Sequence, residues 1–397
     1  MSGLTLSSRA RSLQESAIRK LDLTVAMHPQ VRWFRLNIGQ PDVPTPRPLL
    51  EAVHNWDVQV VSYGPASGLA QLRDAAARYH SRWSPGLEGR HVAVTQGGSE
   101  ALLFAFTALC DPGDEVLVPE PYYTNYNGFA SVAGARVRPI RTRIENQFAL
   151  PDDATLDQHI TDRTRAIVFS NPGNPTGAVY GRETLARILA WAARHGIFVI
   201  ADEVYRRIWF DEAPTSALEF EAYRDHVICV DSLSKTYSAC GARVGFFISR
   251  NEDLMEKVER LGQARLGTQP LAQHVALAAL SLPESYYDEV RATYKRRVDA
   301  LMDCLGNIEG VQAPRPAGAF YAMLNLPVDD SERFARWLVE EFRLEGEGLV
   351  VAPGPGFYSD PSMGRTEVRV AAVLREADLR RAMDILSAGL EAYPGRI

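Results

Sequence analysis

The sequence predicts an α/β protein: a large domain with a mostly parallel seven-stranded sheet, and a smaller α+β domain after it. Three observations lead there. Between residues 91 and 261, short apolar runs alternate with longer stretches of helical period. Several of those runs are apolar throughout rather than at every second position, as in strands covered on both faces. From about Tyr286 the texture changes to charged helical stretches separated by single apolar runs. The domains expected are 48–285 for the large one and 286–397 for the small one, with an N-terminal arm, 1–47, that joins the small domain.

In chain order, Ser8–Met27 reads as a helical arm of mixed polarity. Gly39–Pro48 (GQPDVPTPRP) carries four prolines and is predicted to cross the molecule in extended form. Strands are predicted at His91–Thr95, Glu115–Val118, Ala135–Ile140, Ala166–Ser170, Phe198–Asp202, Val227–Asp231 and Gly245–Ile248. Helices are predicted between them at Glu100–Leu109, Tyr123–Ala133, Arg182–His195 and Asp253–Leu261. The small domain is read as a helix over Tyr286–Leu305, a strand in Phe320–Leu326, a helix over Ser331–Glu341, a strand ending in Val368–Ala372, and a last helix from Glu376.

Composition narrows the function. Among 397 residues, 46% are hydrophobic and 23% charged, which excludes a disordered, fibrous or small disulfide-stapled chain. A net charge of −6 offers no general attraction to nucleic acid or anionic membrane, so neither is expected as a partner. The four cysteines are far apart and form no CxxC pair, which points to neither a disulfide framework nor a metal site. The opening MSGLTLSSRARSLQES has no apolar stretch, and the longest apolar run, Ala101–Cys110, is too short to span a bilayer. A cytoplasmic location is expected. Only four of the 43 basic residues are lysines: Lys20, Lys235, Lys257 and Lys295. Chemistry that needs a deprotonatable amine has those candidates, since arginine stays charged.

Five segments sit at predicted strand ends, where open α/β sheets bind their ligands. Thr95–Glu100 (TQGGSE) turns on two glycines into a helix, a geometry that gathers backbone amides on an anion. Taken alone, it reads more readily as a tight turn with Ser99 as N-cap. It carries neither of the glycine patterns of dinucleotide and P-loop sites, which speaks against a nicotinamide dehydrogenase. Ser170–Gly177 (SNPGNPTG) reads as a rigid loop that presents the Asn174 amide. Ile200–Tyr205 (IADEVY) ends an apolar strand in two carboxylates and a phenol, and a buried carboxylate calls for a cation. Asp231–Gly245 (DSLSKTYSACGARVG) holds Lys235 between serines, eight residues before Arg243, whereas Lys20, Lys257 and Lys295 lie in charged helical stretches. Arg369 lies in an apolar strand and needs an anion.

Taken together, these segments resemble the class I/II aminotransferases, the fold type I pyridoxal 5′-phosphate enzymes of the aspartate aminotransferase superfamily. The resemblance spans nearly the whole chain, in order: LNIGQPD, YGPASGLAQLR, TQGGSEAL, DPGDEVLVPEPYYTNY, NPGNPTG, IADEVY, SLSKTYSACGARVG, PAGAFY and VRVAA. It implies that Lys235 is the Schiff-base lysine and proton shuttle, and that Asp202 pairs with the pyridine nitrogen. Tyr205 and Asn174 would support the ring oxygen, and Tyr123 would stack on the ring. Gly98, Ser99, Ser232 and Arg243 would cup the phosphate. Tyr63 and Thr268 would reach it from a second subunit, which implies a homodimer with shared active sites. Arg369, with Asn174 and the backbone of Gly39, would hold the substrate carboxylate.

The resemblance implies ping-pong exchange between an L-amino acid and a 2-oxo acid of the glutamate or aspartate class. The runner-up is a lyase, cyclase or oxidase of amino-acid secondary metabolism on the same scaffold. A catalytically silent effector module fits poorly, because the catalytic set is intact and little chain precedes the large domain. Dicarboxylate-specific relatives use a second cation, for which Arg265 is a candidate and Arg19 and Lys20 are weaker ones. Trp33, Tyr122, Tyr126 and Phe320 form either an apolar substrate pocket or ordinary core.

Overall fold

The computed structural model describes residues 4–13 and 21–397. Strand β1 is Arg32–Arg35, β2 Val92–Thr95, β3 Glu115–Glu120, β4 Arg136–Arg141, β5 Thr164–Ser170 and β6 Phe198–Asp202. They are followed by β7 (Val227–Ser232), β8 (Gly245–Ile248), β9 (Tyr321–Asn325), β10 (Glu347–Val350), β11 (Ala352–Pro353) and β12 (Glu367–Ala371). The seven predicted strands of the large sheet are β2 to β8, and they form one sheet in the order β2-β8-β7-β6-β5-β3-β4. Only β8 runs against its neighbours, pairing antiparallel with both β2 and β7.

The continuous apolar runs are explained by helices on both faces. On one face Ile200, Ile228 and Val230 pack with Leu102 and Phe106 of the helix Gly98–Leu109 and with Tyr126 and Ala130 of Asn125–Ala133. On the other, Val199, Ala201 and Val227 pack with Leu185, Ile188 and Trp191 of Arg182–Arg194 and with Leu72 and Ala76 of Ala70–His80. Neighbouring residues of one strand thus enter different cores, the period of two expected of extended chain.

Three further strands form an antiparallel sheet in the order β11-β12-β9, and β1 pairs in parallel with β10. The chain leaving β1 is tied on both sides: Leu36 N donates to Val350 O, and Ala371 N donates to Leu36 O, both at 2.9 Å. Those bonds lay Asn37–Gln40 beside β12 and, with it, Arg369. Farther on, Arg297 pairs with Asp42 at 2.6 Å and donates to Val373 O, which pins the proline-rich crossing.

Some expectations need correction. Helix Ser8–Ser12 stops at Leu13, which is extended at φ −64 and ψ 126, so the arm is not one helix; a second short helix is Asp22–Ala26. Arg19 and Lys20 lie outside the described residues. The crossing gives way to helix one residue before Pro48: Arg47–His54 is helical, with the proline in its first turn where no amide is missed. The helices Ala70–His80 and Pro270–Leu280 were not predicted. The second is apolar almost all round and has no polar stripe to reveal its period.

Candidate active site

A cleft of about 310 Å³ opens where β5, β6 and β7 end and the chain from β1 crosses them. At its floor, β2 runs into the helix Gly98–Leu109 through Gly97, whose φ of 79 a side chain would resist. A Cβ on Gly97 would stand 2.6 Å from Arg243 Nη2, and one on Gly245 would stand 2.4 Å from the Gly97 carbonyl carbon. The turn, Arg243 and β8 therefore close up backbone against backbone. Gly97, not Ser99, is the N-cap, so Ser99 lies inside the first turn. First-turn amides have no partner within a helix and carry its positive end. Arg243 sits above them at φ 54, donating to Cys240 O at 2.9 Å and Gln96 O at 3.1 Å, with no ion pair among the described residues. Buried Ser232 completes this wall. An anion would find amides, a hydroxyl and a guanidinium here.

Asp202 ends β6, only 4% exposed. Its Oδ2 accepts from the Tyr126 hydroxyl at 3.0 Å, while Oδ1 is buried with no hydrogen-bond partner. Burial raises its carboxyl to about 6, and the Tyr126 bond, the Val204 amide and the Lys235 charge pull the other way. The expected cationic hydrogen-bond partner belongs instead to the next residue, Glu203, which is paired with Arg206. Lys235 Nζ donates to Gly39 O at 2.8 Å. Tyr205 Oη lies 3.0 Å from Tyr321 Oη. Gly39 must be glycine here, since a Cβ would fall 1.7 Å from Tyr321 Oη. Tyr123 lines the cleft with its ring edge-on to Tyr126 at 5.6 Å, and burial raises its phenol to about 12.

Arg369 is 1% exposed. Nη1 donates to Asn174 Oδ1 at 3.0 Å and Nη2 to Asn37 O at 2.5 Å, with Tyr321 and Phe357 rings on its flanks at 4.4 and 4.9 Å. Its Nε is buried without a partner, and among the described residues no carboxylate pairs with it. Both residues line one cleft, and each keeps an orphaned polar atom, one an acceptor and the other a donor. A ring nitrogen that carries a proton would satisfy Asp202 Oδ1, and a bound carboxylate would satisfy Arg369. With the anion-accepting wall lining the same cleft, the donor set fits pyridoxal 5′-phosphate and an amino-acid substrate.

The pattern of the family "Aminotransferase class I and II" matches residues 31–386. The chain belongs to that family. The aspartate/prephenate aminotransferase of Thermus thermophilus is 31% identical over 96% of this chain and 97% of its own length. Among solved structures, the aspartate aminotransferase of Thermotoga maritima superposes with a TM-score of 0.89 at 29% identity, covering 98% of this chain and all of that one. The alanine aminotransferase of Pyrococcus furiosus gives 0.88 at 31% identity, with 98% of this chain covered. The fold is accordingly fold type I, and enzymes of this family work with pyridoxal 5′-phosphate.

Three of the residues expected at the site do not line this aminotransferase's own cleft. Tyr63 is 85% exposed, and Thr268 is buried with Oγ1 unpartnered. Their loops pack together, since a Cβ on Gly267 would sit 2.4 Å from Gly64 O. Arg265 is not a free cation: it pairs with Glu100 at 3.2 Å and donates to Ala66 O at 3.2 Å. Trp33 lies under Arg343, and Tyr122 and Phe320 are core. Tyr126 is core as well, but its hydroxyl reaches Asp202. Tyr321, the last residue of PAGAFY, and Cys240 also line the cleft. Nothing local marks Tyr321 as polar machinery, because it sits in an apolar strand and its partner Tyr205 is 116 residues away.

Proposed function

We propose that this aminotransferase holds pyridoxal 5′-phosphate in the cleft and exchanges the amino group of an L-amino acid with a 2-oxo acid, glutamate/2-oxoglutarate or aspartate class, in two half-reactions. The observation that carries this is the convergence of an amine, an unpaired carboxylate oxygen and an unpaired guanidinium nitrogen on one cavity: Lys235, Asp202 and Arg369. When bound, the cofactor supplies an electron sink for the charge left on Cα. Asp202 Oδ1 would hold the proton on the ring nitrogen, its other oxygen being fixed by Tyr126. Lys235 would anchor the cofactor through its amine and, once freed, would take the Cα proton. Gly98, Ser99, Ser232 and Arg243 would hold the phosphate, Tyr205 and Asn174 the ring oxygen, and Tyr123 the ring face. Arg369 and Asn174 would fork the substrate carboxylate beside Gly39.

The reading includes a homodimer in which Tyr63 and Thr268 complete the neighbour's phosphate site. It is supported by exposed Val58, Val60, Val61, Tyr63 and Leu266, apolar groups on the same two loops. Arg265 would reach a distal carboxylate only by leaving Glu100. The division into residues 48–285 and 286–397, with the arm 1–47 joining the latter, and a cytoplasmic enzyme without nucleic-acid or membrane partners, belong to the same reading. The net charge of −6 supports it, and among the described residues no helix is long and apolar enough to cross a membrane. The aminotransferase names of the matched relatives favour transamination over elimination, cyclisation or oxidation.

The test is a donor panel of glutamate, aspartate, alanine and phenylalanine against 2-oxoglutarate and pyruvate, followed by product. Matched formation of a new amino acid and a new oxo acid is expected. Donor consumption without a new amino acid would sink the transaminase reading.

A further inference from the structure

The large sheet carries a second polar cluster on the face turned away from the cleft. β6 and β7 end in adjacent pairs, Asp202 with Glu203 and Asp231 with Ser232. Asp202 and Ser232 line the cleft, so alternation sends Glu203 and Asp231 to the opposite face. Glu203 Oε1 accepts there from Ala217 N at 2.8 Å and Ser216 Oγ at 3.1 Å, and Oε2 accepts from Arg206. Arg206 Nη1 lies 2.9 Å from His80 Nδ1. A guanidinium can only donate, so Nδ1 accepts, and the proton of a neutral His80 must sit on Nε2. That nitrogen stands 3.4 Å from Asp231 Oδ2. Asp231 Oδ1 accepts the amide of Ser232 at 2.7 Å.

Hydrogen bonds thus run from Glu203 through Arg206 to His80, and the His80–Asp231 contact, a close approach at 3.4 Å rather than a hydrogen bond, joins them to the residue that holds the Ser232 amide. His80 is 0%, Glu203 1% and Arg206 3% exposed, and the Arg206 guanidinium lies 4.3 Å from the Trp83 ring. Buried ion pairs of this kind are often matched in stability by apolar side chains. What this one does that apolar packing could not is hold the backbone amide of Ser232, a residue of the cleft wall.

We propose that Asp231, His80, Arg206 and Glu203 act as a positioning device for the anion-binding wall, with Asp231 holding Ser232 in place against the strand end that carries Asp202. The proposal rests on the reading that this wall receives the cofactor phosphate. None of the four residues lines the cleft, so all of them act through Ser232 and its turn.

The test uses the full-length chain freed of cofactor and titrated with pyridoxal 5′-phosphate and, separately, with pyridoxal, which lacks the phosphate. Asp231→Ala weakens pyridoxal phosphate binding about tenfold and leaves pyridoxal binding unchanged. Asp231→Asn keeps an oxygen for the Ser232 amide but turns its NH2 toward the His80 Nε2–H, so it recovers part of the affinity and lies between alanine and wild type. His80→Ala also weakens the phosphate form, and added to Asp231→Ala it costs little more, as members of one chain do. A cluster that only supports the fold would lower the melting temperature and weaken both ligands alike. The proposal is overturned by that result, by wild-type phosphate binding in Asp231→Ala, or by failure of the asparagine to rescue. Should Asp231→Ala not fold, His80→Ala decides under the same criteria. A wild-type chain that binds the two ligands equally would remove the phosphate wall itself, and this inference with it.

Discussion

Tyr126 and Asp202 meet at 3.0 Å, the phenol donating to Oδ2 while Oδ1 stays buried and unpartnered. The bond is what keeps one oxygen occupied and leaves the other for the cleft. Asp202→Asn is expected to retain cofactor and lose about 10²–10³-fold in rate, because an amide cannot hold the ring proton. Tyr126→Phe removes a bond that lowers the Asp202 pKa and should cost about three- to tenfold. Steady-state rates with the preferred donor check both. A near-normal Asp202→Asn would mean that the ring proton has another holder.

Lys235→Ala is expected to bind cofactor without a covalent link and to lose about 10³-fold or more in turnover. Lys257 and Lys295 are paired with Glu256 and Asp299 at the surface, 3.5 and 3.4 Å away. Borohydride reduction followed by peptide mapping should mark Lys235 alone. A label on any other lysine refutes the assignment.

Burial raises the carboxyls of Asp202 and Asp231 to about 6 and about 7. In the unfolded chain both titrate near 3.9. The folded, cofactor-free chain thus keeps protons that the unfolded chain gives up. Their effect is a stability that falls as pH rises from about 4 through 6 and 7. Asp202→Asn removes its share, so the fall in unfolding free energy between about pH 5 and 7 should be shallower than in wild type. Urea titrations of the two chains at matched pH measure this. Parallel curves would contradict the raised Asp202.

If Tyr63 and Thr268 complete the neighbour's phosphate site, two inactive chains should rescue each other. One parent carries Lys235→Ala and the other Tyr63→Ala with Thr268→Ala. A mixed dimer then has one cavity whose own-chain and partner-chain residues are all native. Activity should return on mixing, up to about half of a wild-type dimer's, since one of two symmetric sites is intact. Proven subunit exchange without recovery would eliminate the shared site.

Much of this was legible in sequence because it is local. Seven apolar runs flanked by turn residues foretold the seven strands of the large sheet to within about two residues at each end, because strands buried on both faces leave an uninterrupted apolar signature. The isolation of Lys235 among serines, when the other lysines sit in charged helical stretches, needed only the residue order. The doubled asparagines of SNPGNPTG likewise foretold a presented amide at Asn174, and the structure shows what the other one does. Asn171 bonds back to Tyr180 N and O, and Asn174 is the one that meets Arg369.

What only the tertiary structure decided is pairing across the chain. Arg369 donates to Asn37 O from 332 residues away, His80 meets Asp231 on the sheet face turned away from the cleft, and Arg265, readable as a free cation, is held by Glu100. Periodicity specifies which way a side chain points along its own helix or strand. The partner it finds depends on which elements pack together, and that is set by the burial of whole faces rather than by any short run of residues.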